Sequence, residues 1–152
     1  MITVRVYGIL ITPERRVLVS DEFIRGGYYT KFPGGGLEVG EGTRDCLRRE
    51  FVEEMNLLVE VGAHLYTTDF YQQSAFNQSH QILSIYYYAH PLEPFTVSFR
   101  ERPFDFLPEQ TADPRGEAEV FRLLDWEQFS PDAVTLPIDK IVARMVKEHP
   151  PF

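Results

Sequence analysis

The chain has 152 residues, 43% of them apolar and 14% aromatic, and a net charge of −8. That length suits one domain with a core of its own, and that apolar content excludes an intrinsically disordered chain. The acidic balance argues against broad nucleic-acid binding, which needs a basic surface, but not against a small nucleotide whose phosphates meet a metal.

Cys46 is the only cysteine, so the chain has no disulfide framework and no thiolate metal cluster. The opening Met1-Ile2-Thr3-Val4 lacks the basic stretch of a secretory leader, and no run of 18 apolar residues offers a membrane span. The expectation is a soluble protein of a reducing, cytoplasmic compartment with no membrane partner.

Ile2 to Ile11 is rich in β-branched residues and reads as a long strand. Thr12-Pro13-Glu14-Arg15 reads as a turn and Arg16 to Ser20 as a return strand, so the two predict a hairpin. Ile24 to Thr30 gives a short strand into Phe32-Pro33. Its Tyr28 and Tyr29 read as core or rim packing, with a place in a ligand cleft as the alternative. Gly34, Gly35 and Gly36 can take positive φ and bring bare backbone close to a ligand.

After Gly42 the pattern turns helical. Thr43 is the expected cap, and Asp45 lies in the first turn, where the helix dipole favours negative charge. Glu50, Glu53 and Glu54 fall on one face at i, i+3 and i+4; Leu47, Phe51 and Leu58 are expected beside them, packed onto a sheet. Cys46 reads as a small packed residue. The helix should end near Met55, with Asn56 as a left-handed cap. Three neighbouring carboxylates cost roughly 0.2–0.5 kcal/mol per pair in an isolated helix. A divalent cation reverses that cost, and an all-oxygen ligand set suits Mg²⁺ or Mn²⁺.

From Gly35 to Leu57 these residues spell G-x5-E-x7-R-E-U-x-E-E-x-N-U, where U is a bulky apolar residue. The pattern resembles the Nudix box, which has Gly where this chain has Asn56. Phe32-Pro33-Gly34-Gly35 before it and Glu38-Val39-Gly40-Glu41 within it are similar to the family's usual surroundings. Six identities (Gly35, Glu41, Arg49, Glu50, Glu53 and Glu54), each at about 6% background frequency, would coincide in roughly one chain in 10⁵ of this length.

Beyond the box, Leu57 to Tyr71 reads as extended, Gln72 to Gln81 as a polar hairpin loop, and Ile82 to Ala89 as an aromatic strand. Residues 91–115 alternate prolines with Phe95, Phe99, Phe104 and Phe106; so long an irregular segment is more often functional or interfacial than idle. Glu117 to Leu124 returns to strand character, and Leu124 to Phe129 is similar to the short turn and helix start late in Nudix domains. A last helix is predicted from Pro137 and Ile138 to Glu148, with Ile141, Val142, Met145 and Val146 as its apolar stripe. There is no internal repeat.

The resemblance implies a single Nudix hydrolase domain over residues 1–152, of α/β (α+β) class, an α/β/α sandwich with a mixed β-sheet between helices. It implies a Mg²⁺-dependent pyrophosphohydrolase, with Mn²⁺ as a substitute, acting on a small nucleotide. The bond cleaved would be the phosphoric anhydride of a nucleoside diphosphate linked to X, an NTP or dNTP included, by attack of metal-activated water at phosphorus. Carried over position by position, Glu50 and Glu54 are metal ligands and Glu53 is a further ligand or a base. Carbonyls of Gly34 or Gly35 complete the shell. Arg49 and Glu41 pair to tie the loop to the helix, and Glu38 is a weaker outer ligand. A downstream acid is expected at Glu117, with Glu119 second. The four histidines lack ligand-like spacing. The alternative is a non-catalytic Nudix-fold sensor of a nucleotide or nucleotide sugar. An RNA-end processing enzyme is disfavoured by the acidic charge, and homodimerisation through the aromatic segment or the N-terminal strands is compatible with the family.

Overall fold

The structure, a computed structural model, describes residues 1–152. The chain forms two compact units: Met1–Leu10 with Pro33–Thr96, and Ile11–Phe32 with Val97–Phe152. Two helices and two sheets give the expected α+β class, and the four-stranded sheet is mixed, as expected.

The first unit holds β1 (Ile2–Leu10), β4 (Gly34–Gly36), helix α1 (Thr43–Met55), β5 (Val59–Thr67) and β6 (Gln81–Pro91). Its sheet runs β4-β1-β6-β5. β1 pairs in parallel with β6 over nine residues and antiparallel with β4, where Arg5, Val6 and Tyr7 face Gly36, Gly35 and Gly34. Val6 to Leu10 is buried without alternation, the mark of a strand covered on both faces and therefore central. Both edges of β1 are taken by β4 and β6, so the predicted β1–β2 hairpin does not form. A single bridge, Ile11 to Val17, survives across the Thr12–Arg15 turn, and β1 spends its ladder on β4 and β6 instead.

Helix α1 packs on β1, β4 and β5 through Cys46, Leu47, Phe51 and Met55. Phe51 packs close on β1, since a Cβ on Gly8 would come within 2.8 Å of its ring. The N-cap is Gly42, not Thr43. The Asp45 carboxylate accepts the Gly42 N–H at 3.3 Å, while Thr43, one residue inside the helix, turns its hydroxyl to Tyr87 at 2.7 Å. Asn56 ends the helix at φ 51°, ψ 42°, as expected. That turn carries Leu57, not Leu58, into the core; Leu58 is 54% exposed and only its backbone is held, by Glu93 at 3.0 Å.

The second unit holds β2 (Arg16–Ile24), β3 (Gly27–Lys31), β7 (Glu117–Asp125), two 3₁₀ turns (Pro108–Gln110 and Pro131–Ala133) and helix α2 (Pro137–Glu148). Its antiparallel sheet runs β3-β2-β7, with nine rungs joining β2 to β7. Glu117 and Glu119 are therefore sheet residues, as the strand character of 117–124 predicts. The segment before β7 is irregular as predicted, and Phe104 within it has φ 55°. Residues 126–128 form a turn and start no helix. Helix α2 has the predicted bounds, but its buried stripe is Ile138, Val142, Ala143 and Val146. Ile141 points outward because positions 138, 142 and 146 already repeat on one face.

Candidate functional site

The site expected from the sequence lies in the first unit, built by β4, the loop 37–42 and helix α1. β4 is an edge strand of three glycines, and one of them has a side chain pressed against it. A Cβ on Gly35 would collide with the Glu50 carboxylate, and one on Gly34 with the backbone of Val6 and Tyr7. The glycine run therefore brings the α1 carboxylate onto bare backbone.

Arg49 organises the carboxylates. Its guanidinium donates to Glu41 through Nε (3.0 Å) and Nη2 (2.7 Å), the paired geometry in which arginine binds a carboxylate most strongly. Nη2 also donates to the Gly36 carbonyl at 3.0 Å, so one side chain ties the loop, β4 and the helix together. Nη1 bridges Glu50 (2.9 Å) and Glu53 (3.2 Å) and lies 3.6 Å from Glu38. Glu41 also accepts the Glu38 N–H at 2.9 Å. The Arg49 fork first, and that N–H second, hold the Glu41 carboxyl down at about 2. In return Glu41 keeps Arg49 cationic well beyond its ordinary range. Burial, reinforced by the charge of Glu41, pushes the Cys46 thiol up to about 12, and its Sγ rests 3.5 Å from the Gly36 carbonyl as a packed, inert group.

Four carboxylates thus share one guanidinium, with Glu54 following on the next helical position. Glu50 is mostly covered, whereas the Glu53 side chain is 58% exposed. No three of the His, Cys, Asp or Glu side chains converge on one point as a ready ligand set. Arg49 Nη1 itself stands between Glu50 and Glu53 as their shared positive partner. The donor set fits a hard divalent ion nonetheless: all-oxygen ligands, an acid surplus, and backbone carbonyls on an edge strand beside Glu50.

The profile of the NUDIX domain matches residues 1–145, nearly the whole chain. The chain belongs to the Nudix family. No curated protein matches it. Among solved structures it is similar to a NUDIX hydrolase from Nitrosomonas europaea (TM-score 0.67, 17% identity, covering 97% of this chain and 90% of that one). A MutT protein from Methanosarcina mazei Go1 matches with TM-score 0.66 and 13% identity, over 98% and 96% of the two chains. An ADP-ribose pyrophosphatase from Streptococcus suis 89-1591 matches with TM-score 0.55 and 12% identity, over 99% and 94%. The Nudix hydrolases among these agree with the enzyme class the box implied.

Glu41, Arg49, Glu50 and Glu53 are thus brought into one network beside Gly34, Gly35 and Gly36. The downstream acids belong to the second unit. Glu117 opens β7 with its side chain 65% exposed, 3.8 Å from Arg25. Glu119, two residues on, accepts the Ser20 hydroxyl at 2.6 Å. Sequence reasoning missed a second polar cluster in that unit. Asp21 is fully buried and forks onto Arg122 Nε and Nη2 (2.9 Å to Nη2), accepting also from Thr30 Oγ1 at 2.7 Å. Asp21 and Arg122 are 101 residues apart, and neither stands out locally, because β2 and β7 each carry other charged residues.

Proposed function

We propose that residues 1–152 work as one Nudix pyrophosphohydrolase domain, dependent on Mg²⁺ or Mn²⁺, that cleaves a nucleoside diphosphate linked to X. The observation that carries this reading is the seat of Glu50 on Gly35, gripped with Glu41 and Glu53 by a single arginine. An acid surplus so held suits a divalent cation bound by Glu50, Glu53 and Glu54, with the Gly34 or Gly35 carbonyl as a further oxygen. When bound, such an ion neutralises the phosphates and lowers the pKa of a water ligand. Arg49 and Glu41 act as positioning residues: their fork fixes the loop against the helix and so fixes where the Glu50 carboxylate points. Glu117, an exposed carboxylate 3.8 Å from Arg25, is the proposed downstream acid, as a further ligand or a general base.

The substrate class draws support from the family and from the ADP-ribose pyrophosphatase it resembles. The solved relatives bear different activities, so the identity of X follows from the site rather than the fold. The buried, free Cys46 suits a reducing, cytoplasmic setting, and no helix is long and apolar enough to cross a membrane.

The test is a phosphate-release screen of NTPs, dNTPs, ADP-ribose and nucleotide sugars, with Mg²⁺ or Mn²⁺, beside Glu54→Gln. Direct Mn²⁺ binding is measured in parallel. Turnover lost in the variant, together with weakened Mn²⁺ binding, is the expected outcome. Unchanged metal-dependent turnover in Glu54→Gln would sink the reading.

A further inference from the structure

The second unit contains a cavity of about 490 Å³ lined by β7, the 101–104 segment and residues 128–135. We propose that it binds an aliphatic diamine or polyamine, as a ligand site separate from hydrolysis. Along β7, Arg122 and Leu124 alternate with Glu117, Glu119 and Phe121, so the wall they form lies on the face turned away from the proposed downstream acid. A ligand held there is no part of a substrate that Glu117 meets.

The walls are built rather than incidental. Thr30 and Thr135 clamp one side, with the Thr135 N–H donating to the Thr30 carbonyl (2.9 Å) and the Thr30 N–H to Thr135 Oγ1 (2.8 Å). Lys140 Nζ pins the adjoining turn through the carbonyls of Pro131 (3.0 Å) and Val134 (2.6 Å). Arg122 lines the cavity, and its guanidinium is held by Asp21. The same Asp21 accepts the Phe104 N–H at 3.2 Å, which fixes an aromatic lining residue at φ 55°, a conformation that disfavours it. Tyr28 braces the Phe104 ring from its other contact at 5.5 Å between centroids. The volume lies within the range of small-ligand sites, about 300–1,000 Å³.

The charge of the lining selects the ligand. Glu101 lies on one wall segment and Asp132 on another, both exposed. Neither carboxylate is ion-paired: Arg102 turns to Asp105 at 3.5 Å, and Lys140 is spent on its two carbonyls. Arg122 adds no net charge, because Asp21 cancels it. The cavity is therefore negative, and such a field repels phosphate and draws cations. Two carboxylates on separate segments suit a ligand with a cationic N–H donor at each end. Pro103, Phe104 and Leu124 supply apolar surface for the stem between those ends, and an aromatic ring attracts an ammonium over its face. A hydrated metal ion gains nothing from that apolar surface, which separates an amine from Mg²⁺ at this site.

The test is binding by metal-free, full-length protein, with no turnover required. 1,4-Diaminobutane and spermidine are titrated calorimetrically and by amide NMR, beside 1,4-butanediol as the uncharged analogue and Mg²⁺ as a plain cation. Wild type is compared with Glu101→Gln, Asp132→Asn and, at the acid-rich site, Glu53→Gln. Both amines should bind with shifts centred on residues 101–104 and 128–135, and butanediol should be silent. Glu101→Gln and Asp132→Asn should each lose affinity about fivefold or more, the upper end for one exposed charge pair, while Glu53→Gln binds as wild type. Both cavity carboxylates are exposed, so these variants keep their fold by circular dichroism. No binding at millimolar amine, the same shifts with Mg²⁺ or butanediol, shifts centred on helix α1, or unchanged affinity in both cavity variants would overturn the proposal. Failure of the Glu54→Gln test would leave this site standing, and failure here would leave the hydrolase reading standing.

Discussion

Arg49 and Arg122 each grip carboxylates, but in opposite circumstances. Arg49 serves Glu38, Glu41, Glu50 and Glu53 at a partly open site, so that one positive charge answers four negative ones. Arg122 answers Asp21 as its one carboxylate, and the pair is buried. A matched, buried pair is electrostatically complete, and its value shows when one half is removed. Four carboxylates around one arginine leave a surplus of acid, and under the proposed function its value shows in what it binds. Stability measurements should therefore report on Arg122, and binding measurements on the Arg49 network.

The largest effect is expected at the matched pair. Arg122→Ala leaves Asp21 charged and buried, and should lose about 3–5 kcal/mol in urea denaturation at neutral pH. Replacing both partners by apolar residues, Asp21→Leu with Arg122→Met, should restore most of that loss. A single variant within about 0.5 kcal/mol of wild type, the range of ordinary surface changes, would mean the pair is not the closed unit described.

At the acid-rich site, Gly35→Ala sharpens the comparison. The added methyl must displace the Glu50 carboxylate, an overpacking of about 1–3 kcal/mol, and should weaken Mn²⁺ binding as well. Gly36→Ala in the same strand is the control, since its methyl finds nothing closer than an Arg5 nitrogen at 3.9 Å. Equal behaviour of the two variants would show that the seat of Glu50 is not special.

The two clusters also differ in how far the sequence reveals them. Around Arg49 every partner but Gly36 and Glu38 lies within eight residues, and helical periodicity brings Glu50 and Glu53 together, so a one-dimensional pattern carries most of the geometry. Asp21 and Arg122 meet only because β2 and β7 align over nine rungs, and no local pattern encodes that register. The same limit explains the strand partners. The β-branched run of β1 was legible as a strand, but its pairing with β6 and β4 joins residues far apart in sequence, which no local pattern encodes. Helix bounds fared better, because Asn56 and Pro137 act within one turn of themselves. Thr43 misled for a related reason: Gly42 could take the cap once Asp45 reached back to its N–H.

Acid titration separates the Arg49 network from the rest. The folded value of the Glu41 carboxyl, about 2, lies below its ordinary 4.5, so its contribution is complete above pH 4.5 and is lost as pH falls toward 2. Glu41→Gln should flatten the fall of stability across that window and leave the neutral-pH dependence unchanged. Thermal melts at half-unit steps from pH 5 to 2 would show it. Parallel curves for wild type and variant would mean the Arg49 fork does not hold Glu41 ionised.

The smallest effect is expected at Asn56, where this chain departs from the family pattern. Its φ of 51° and ψ of 42° are open to glycine and tolerated by asparagine, but a plain Cβ residue meets its own carbonyl there. Asn56→Ala should cost about 1 kcal/mol, a drop of about 3 °C in melting temperature for a chain of this size. Asn56→Gly should stay within about 0.5 kcal/mol of wild type, because the αL cap is preserved and only chain entropy changes. The site chemistry follows from the same turn. The Asn56 N–H closes onto the Val52 carbonyl at 2.9 Å and caps the helix at Met55, one residue after Glu54. If Asn56→Ala melts with wild type while Mn²⁺ binding falls, the left-handed cap serves to place the last carboxylates and adds nothing to stability.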